Sequence, residues 1–154
     1  MLITNPLNEE QRKKIQEEWN SHYILQYMGV KVNFSNPEYI EVYIDPIQQF
    51  HRGGMGTDAV NGAIISALFD LAIGLVGVVN ADFHRTGTVQ LNMNFLKPLR
   101  GNKLSIISKL VKKGKSLVFA YAEAIDENNQ VCATCNGISS IDYSKNKVEH
   151  FISI

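Results

Sequence analysis

The chain has 154 residues, with 15 basic and 15 acidic side chains and 45% hydrophobic residues. This length suits a single domain with a full hydrophobic core. A net charge of zero gives no sign of the basic surface that nucleic-acid and membrane-surface proteins carry. The first six residues have neither the basic nor the long apolar region of a signal peptide, so we expect a cytoplasmic protein.

The N-terminal part is expected to be helical before the pattern changes to strands. Residues 8–20 are predicted to form a short amphipathic helix, because Asn8 followed by Gln11 is the pattern of a capping box. Residues 23–28 continue apolar and are expected to turn the chain into the core. From residue 29 to 47 the hydrophobic period is two, with a turn sequence between the two runs, which predicts a β-hairpin.

A glycine-rich loop, residues 51–57, comes next and contains His51, Arg52 and Met55. It is either a plain connector or part of a site, in which case it would place His51 or Arg52 beside the start of the following helix. Neither a Gly-x-Gly-x-x-Gly pattern nor a P-loop occurs in it, so it is not a recognisable phosphate-binding loop.

The longest apolar stretch runs from Asn61 to Asn80 and predicts a long helix. A helix that is apolar on every side is normally buried, although about 20 residues is also the length of a membrane span. The stretch has glycines in its second half and an ionisable group at its centre, and strand-like segments with many polar residues follow it. These features favour a central helix wrapped by a sheet.

Asp70 is the charged residue of this helix. Burying an isolated carboxylate costs several kcal/mol unless it is paired, hydrogen-bonded or open to a cleft. Two interpretations remain open at this point. Asp70 is a structural residue satisfied by a neighbouring hydroxyl or amide, or it is a catalytic acid or base whose pKa is tuned by burial.

The start of the helix is a candidate binding site. Asn61 can cap the helix and Gly62 lets a ligand approach the backbone. The first amides lie at the positive end of the helix dipole, which suits a carbonyl or a developing oxyanion. Gly62 and Asp70 are separated by eight residues, ~12 Å along the axis. One small reacting centre cannot touch both, so a reaction that uses both requires two copies of the chain.

Four strands are predicted after the helix, over residues 88–95, 104–111, 117–125 and 131–141. The first alternates strictly, which predicts an apolar core face and a polar face towards solvent or a groove between subunits. The core face comprises Val89, Leu91, Met93 and Phe95, and the polar face Thr88, Gln90, Asn92 and Asn94. The 117–125 strand has one face of small residues, which lets a helix approach closely.

Two short motifs have competing interpretations. Lys112, Lys113 and Lys115 form either a basic hairpin turn or a cationic contact for phosphate groups. Cys132 and Cys135 spell C-x-x-C, but residues three apart on a strand point to opposite faces. No second cysteine pair exists, so we expect free thiols and no metal site.

Three segments together resemble a known family: residues 61–70 (NGAIISALFD), 88–101 (TVQLNMNFLKPLRG) and 114–141 (GKSLVFAYAEAIDENNQVCATCNGISSI). They are similar to the helix, the following strand and the closing hairpin of hotdog-fold acyl-CoA thioesterases of the PaaI type, the group related to phenylacetyl-CoA thioesterase. The resemblance covers roughly residues 30–142. It implies an α+β hotdog fold, a long central helix wrapped by an antiparallel sheet, with a short N-terminal helix.

The resemblance also implies a domain organisation and an activity. We expect one domain, with residues 1–28 as an N-terminal helical segment, 29–142 as the hotdog core and 143–154 as a tail that adds an edge strand. The implied activity is hydrolysis of an acyl-coenzyme A thioester to the free acid and coenzyme A, without a metal or an organic cofactor. The implied assembly is a homodimer with shared active sites, with a homotetramer as an alternative, and no nucleic-acid or membrane partner.

The resemblance assigns roles to single residues. Gly62 of one subunit would polarise the thioester carbonyl, and Asp70 of the other would act as nucleophile or general base. Asn61 and Thr88 would orient the reacting groups. By fixed spacing the family's water-placing Asn falls on Met55, so the pair His51 and Arg52 matches it better. The residues expected to contact coenzyme A are Arg52, Lys112, Lys113 and Lys115.

Two departures from the family pattern keep alternatives open. Asn61 stands where the family has His, and Ala63 stands where it has a second Gly. One alternative is a hotdog hydratase or dehydratase of hydroxyacyl thioesters, for which only His51 could serve as the histidine. The other is a non-catalytic acyl-CoA binding protein.

Overall fold

The computed structural model describes residues 2–148 and contains one antiparallel sheet with a long helix packed on it. The sheet has six strands in the order β1-β2-β4-β5-β6-β3. The helices are α1 (Glu9–Ser21), α2 (Tyr23–Met28) and α3 (Gly62–Val79), with a 3-10 turn at Gln49–His51. The strands are β1 (Lys31–Asn33), β2 (Ile40–Ile44), β3 (Arg85–Phe95), β4 (Leu104–Lys113), β5 (Leu117–Ile125) and β6 (Val131–Asp142). The predicted α+β class is confirmed.

Most predicted elements lie where the sequence pattern placed them. The capping box of α1 is present, with the Asn8 side chain accepting from the Gln11 amide and the Gln11 side chain accepting in return. The β1–β2 hairpin is antiparallel, as expected. β3 begins at Arg85, three residues earlier than predicted. Residues 143–148 contain no strand, and the rest of the predicted tail lies outside the described residues.

The segment after α1 differs from its prediction. It forms α2, a separate short helix, and of its residues only Leu25 is buried. Tyr23 and Tyr27 are 87% and 85% exposed, so the helix lies on the surface instead of entering the core. The prediction that residues 23–28 enter the core was wrong because two of these apolar residues are tyrosines, whose polar hydroxyl group can stay in water.

The sheet holds α3 closely because small residues line the contact. Ala120, Ala122 and Ala124 of β5 are all buried, as the small face of that strand predicted. Gly77 of α3 and Gly137 of β6 leave no room for a side chain. A Cβ atom on Gly77 would lie 2.7 Å from the Ser139 Cβ, and one on Gly137 would lie 2.6 Å from the Ile73 Cγ2.

α3 is long and apolar enough to cross a membrane. Half of it is nevertheless buried inside the domain, through contacts with β2 to β6. That environment is the one expected of a core helix wrapped by a sheet.

The close packing of α3 against β6 predicts that a larger residue at the contact destabilises the fold. Two glycine-to-alanine variants, one inside the contact and one outside it, test this. Gly137→Ala should lower the free energy of unfolding by about 1–3 kcal/mol, because the added methyl overlaps the Ile73 side chain in a packed core. Gly87→Ala is the control, because a Cβ there would meet no atom of residues 2–148 within 4 Å apart from its two chain neighbours, and β3 pairs directly with β6. Urea unfolding of both variants measures the difference. Equal stabilities would show that the helix does not sit this close to β6.

Candidate active site

One face of α3 is left uncovered by the sheet, and Asp70 lies on it. Gly62, Ala63, Ala67 and Asp70 are all exposed, whereas the opposite face of the helix is buried. Within residues 2–148 the Asp70 carboxylate has neither a hydrogen bond nor an ion pair. The expectation that Asp70 is buried is therefore wrong for the single chain, because the sheet packs on one side of the helix only.

The start of α3 has the geometry of an anion or carbonyl site. The Asn61 side chain caps the helix by accepting from the Ala63 amide at 2.8 Å. The Asn61 carbonyl accepts from the Ile64 and Ile65 amides at 3.0 and 3.2 Å. The Gly62 N–H has no acceptor within residues 2–148, so it is the free donor at the positive end of the helix.

A β-bulge in β3 brings Thr88 to the helix. Thr88 pairs with Ser139 and Gln90 with the adjacent Ile138, so Val89 is an extra residue without a partner. Val89 turns outward and is 58% exposed. The Thr88 Oγ1 consequently lies 3.5 Å from the Cβ position of Gly74 on α3.

This bulge corrects the predicted face assignment of β3. Leu91 also faces the helix, because its Cδ2 lies 3.1 Å from the Cβ position of Gly137 beside Ile73. Thr88 and Leu91 therefore share a face although three residues separate them, which strict alternation forbids. The signal that the sequence did offer is Gly74, since a glycine inside a helix often marks a close approach.

A single chain places Thr88 near Asp70 but leaves Gly62 far from both. Gly74, whose Cβ position lies 3.5 Å from the Thr88 Oγ1, follows Asp70 by about one helical turn, ~6 Å along the axis. Gly62 lies ~12 Å from Asp70 along the same axis. Its Cβ position is instead 3.6 Å from the Phe95 ring, at the opposite end of β3.

The His51 ring takes part in the fold rather than facing the helix start. It is fully buried, its Nδ1 accepts from the Gln48 amide at 2.8 Å, and its Nε2 donates to the Met28 carbonyl at 2.6 Å. Only its backbone carbonyl meets the helix start, where it accepts from the Asn61 amide at 2.9 Å. As placed, the ring has no nitrogen left for a substrate or a water molecule.

The basic residues expected to contact coenzyme A lie in two separate places. Arg52 braces its own loop, donating to the Asp58 carbonyl at 2.7 Å and to the Gly101 carbonyl at 3.0 Å. Lys112, Lys113 and Lys115 are exposed at the β4–β5 turn. Pairing places Lys113 level with Thr88 across β5 and β6, three strand spacings or ~14 Å away.

Both cysteines are free and buried in β6. Burial raises the pKa of the Cys132 and Cys135 thiols above the ordinary value, and the nearby Asp70 charge raises that of Cys135 slightly further. A raised pKa keeps a thiol protonated and unreactive. Within residues 2–148 no cluster of side chains could hold a metal ion.

The thioesterase superfamily model matches residues 58–133 of the chain. Over this segment the chain is similar to the members of that superfamily. Together with the named relatives and solved structures, this match confirms the predicted enzyme class, a thioester hydrolase. The matched segment contains Gly62, Asp70 and Thr88, whereas His51 and Arg52 lie before it.

Individual relatives and a solved structure are consistent with this match. A Sulfurisphaera tokodaii protein, provisionally named an esterase, is 26% identical over 133 residues, which cover 86% of this chain and 95% of that protein. The Salmonella typhimurium medium/long-chain acyl-CoA thioesterase YigI is 27% identical over 96 residues, covering 53% of this chain and 62% of that protein. The solved structure of the Escherichia coli PaaI protein has a TM-score of 0.74 at 14% identity, covering 87% of this chain and 95% of that one. That likeness confirms the hotdog fold.

If the His51 ring is structural, its replacement should lower the free energy of unfolding, and not activity alone. His51→Leu should lower the free energy of unfolding by about 2–4 kcal/mol, because it leaves the Gln48 amide and the Met28 carbonyl without partners in a buried site. Thermal unfolding measures the loss. A variant that keeps the stability of the unmodified protein but loses thioesterase activity would assign the ring to catalysis instead.

Proposed function

We propose that the protein hydrolyses acyl-coenzyme A thioesters at active sites that two copies of the chain share. The observation that carries this proposal is the open face of α3. Thr88 lies beside Gly74, about one helical turn after Asp70, and the free Gly62 amide lies about two turns before Asp70. Hydrolysis needs a base and also a hydrogen-bond donor to the thioester carbonyl oxygen. Near Asp70 that donor can come from Gly62 of a second chain.

The edge of the sheet supports the way in which two chains would meet. β3 is the last strand in the sheet, so one side of its 11 residues has no neighbouring strand within residues 2–148. Antiparallel pairing of two such edges sets the Phe95 end of one strand beside the Arg85 end of the other. Because a Cβ at Gly62 would lie 3.6 Å from the Phe95 ring, Gly62 is beside that end of β3, and this pairing would move Gly62 of the partner subunit towards Thr88 and Asp70.

The chemistry follows from these groups. The Gly62 N–H donates to the thioester carbonyl oxygen and stabilises the negative charge that develops there. In one route the Asp70 carboxylate accepts a proton from water as the water oxygen attacks the carbonyl carbon; the carbon–sulfur bond then breaks, and the coenzyme A thiolate leaves with that proton. In the other route the carboxylate attacks the carbon itself and displaces the thiolate; water then hydrolyses the mixed anhydride, which releases the acid, restores Asp70 and supplies the proton that the thiolate takes up. The Thr88 hydroxyl holds the carboxylate or the water in place.

Two observations support coenzyme A as the thiol component of the substrate. The related Salmonella protein is named an acyl-CoA thioesterase, and the lysines of the β4–β5 turn offer exposed cations for phosphate groups. Lys113 is the best placed of these lysines, because it shares a surface depression with Arg85 and Thr86 at the start of β3.

The hydratase alternative receives less support from the geometry. That chemistry was expected to use a histidine, and both His51 ring nitrogens are engaged with backbone groups. The binding-protein alternative predicts no turnover, and the experiments below separate it from the proposed hydrolase.

The first prediction concerns the base. Asp70→Asn should lower kcat for an acyl-CoA thioester by about 100-fold or more, because removal of a general base or nucleophile typically costs this much. Glu17→Gln is the control, since it also changes an exposed helical carboxylate to an amide, on α1. Thiol release is followed with a thiol-reactive dye, and circular dichroism checks the fold. Near-normal turnover of the Asp70 variant would remove Asp70 from the mechanism.

The second prediction concerns the sharing of the site. Asp70→Asn and Gly62→Val chains, each almost inactive alone, should regain roughly a quarter of the normal activity when they are refolded together in equal amounts. Random pairing makes about half of the dimers mixed, and each mixed dimer has one intact site and one with both lesions. Mass spectrometry of the intact assembly measures the mixed fraction. Stable mixed dimers without any recovered activity would place both groups in one chain and contradict the shared site.

A further inference from the structure

A cavity of about 1030 Å³ lies where α1 passes the C-terminal end of α3 and the start of β3. Its volume is at the upper end of the range found for small-molecule sites, ~300–1,000 Å³. Lys113, the lysine best placed for a phosphate group, lines this cavity together with Arg85. The rest of its wall, which α1 and the end of α3 supply, has no role in the mechanism above.

The wall of the cavity combines apolar and charged side chains. Trp19 of α1 and Val78 of α3 supply apolar surface, and Glu18, Arg85 and Lys113 supply charges. A purely apolar ligand would remove these charged groups from water without giving them hydrogen-bond partners, which is unfavourable. A ligand with a flat ring, polar edges and negative charges suits both kinds of surface.

Hydrogen bonds to the first strand and the residue after it hold the α1 side of the cavity in place. Asn20 of α1 both donates to and accepts from the backbone of Val32, at 3.0 and 2.8 Å. The Gln16 side chain accepts from the Phe34 amide at 2.8 Å. These bonds fix the position of α1, so the Trp19 ring is presented to the cavity before any ligand binds.

Two aromatic rings stand next to each other on this fixed side. The Trp19 and His22 rings both line the cavity, with 6.0 Å between their centroids and 35° between their planes. Trp19 is half-buried, so part of its ring packs against the core and another part faces the cavity. Aromatic side chains bind nucleobases by stacking, because every base has a π-face. The α1 side of the cavity therefore fits a purine ring.

The sheet side of the cavity is positively charged. Arg85 and Lys113 form no ion pair within residues 2–148. The Asp82 carboxylate also lines the cavity, but it pairs with Lys147 at 2.6 Å and offsets little of this charge. Cations placed in this way favour phosphate groups.

The sheet register connects these cations to the candidate active site. Successive partners across β4, β5, β6 and β3 are Lys113, Val118, Ser139 and Thr88. Directly paired residues lie on the same face of a sheet, so Lys113 lies on the α3 side, as Thr88 does. Three strand spacings, ~14 Å, separate the two residues.

The pantetheine arm of coenzyme A has the length that this spacing requires. It joins the sulfur to the first phosphorus through ~13 bonds, as many as the backbone of about four residues, and so spans ~15 Å when extended. A thioester whose carbonyl lies near Asp70 and Thr88 can therefore bring its first phosphate to Lys113. The adenosine beyond that phosphate then reaches the cavity and the Trp19 ring.

We propose that this cavity binds the adenosine end of coenzyme A, with the purine ring against Trp19 and the phosphate groups at Lys113 and Arg85. The inference rests on the proposed hydrolysis of acyl-CoA thioesters and names the carrier of the acyl group that the same site takes. A thioester whose pantetheine arm ends in a nucleotide fills the cavity, and one whose arm ends without a nucleotide leaves it empty. The enzyme consequently selects its substrate by the carrier, whatever the acyl group.

The first test measures binding without turnover. Trp19 is the single tryptophan of the chain, so its fluorescence reports on the cavity. Adenosine 3′,5′-bisphosphate, the nucleotide end of coenzyme A, should quench this emission in a saturable way. Pyrophosphate, which carries charge but no ring, should bind at least ~10-fold more weakly in a displacement titration, because it cannot stack.

Two lysine variants locate the phosphate contact. Lys113→Gln should weaken binding of the bisphosphate by ~10-fold or more, because a charge-assisted hydrogen bond is lost. Lys109→Gln, at an exposed position of β4 outside the cavity, is the control and should keep the normal affinity. Equal affinities of the two variants would overturn the proposed position of the phosphates.

The second test compares two carriers of the same acyl group. The kcat/KM for an acyl-CoA should exceed that for the corresponding acyl-pantetheine by ~100-fold or more, because the latter lacks both the phosphates and the ring. Lys113→Gln should lower this ratio by ~10-fold, through a higher KM for the acyl-CoA, and Lys109→Gln should leave the ratio unchanged.

The outcomes separate this inference from the proposed hydrolysis. Equal kcat/KM for the two carriers, with no response of Trp19 to the bisphosphate, would overturn the nucleotide site and leave the hydrolase intact. Quenching by the bisphosphate in a protein that hydrolyses neither thioester would support the nucleotide site and contradict the proposed hydrolysis. Quenching without competitive inhibition of acyl-CoA hydrolysis would also overturn the inference, because the nucleotide would then occupy a separate site.

Discussion

The structure depends on the tight contact between α3 and the sheet. Gly77, Gly137 and the alanines of β5 remove side-chain volume where the helix crosses the strands, so the backbones approach closely. This contact buries one side of the helix completely and leaves the other side free. The free side is consequently set at a fixed height above the sheet, and the distances between Asp70, Thr88 and Gly62 follow from that height and from the helical rise.

Much of the fold could be predicted because local and long-range signals agreed. The helix predicted over 61–80 spans Gly62–Val79, and the small face of β5 meets it as expected. The Asn61 cap and the Asn8 capping box could also be predicted, because such hydrogen bonds connect residues only two or three positions apart. Features fixed by neighbours in sequence are the ones that a sequence pattern records.

The parts of the site that could not be predicted depend on partners distant in sequence. Thr88 was assigned to the outer face of β3 because strict alternation contains no sign of the bulge at Val89. The burial of Asp70 was misjudged because an apolar helix does not reveal how many of its faces a sheet covers. The His51 ring accepts from the nearby Gln48 amide but also donates to the Met28 carbonyl, which lies 23 residues away. The positions of Thr88 and of the His51 ring therefore depend on partners that no short motif contains.

The edge of β3, which has no neighbouring strand within residues 2–148, has a consequence for how this protein can evolve. A long sheet edge with exposed apolar side chains, here Val89 and Phe95, is a template on which any extended chain can add itself. Other proteins protect such edges with lysine, proline or a very short strand, but this strand keeps 11 residues in register with β6 apart from one bulge. In the proposed dimer a second copy covers this edge, so a substitution that weakens the pairing would leave the edge free to bind other extended chains. Selection against aggregation and selection for catalysis would then act on the same residues, which would leave this strand less freedom to drift than its exposure suggests.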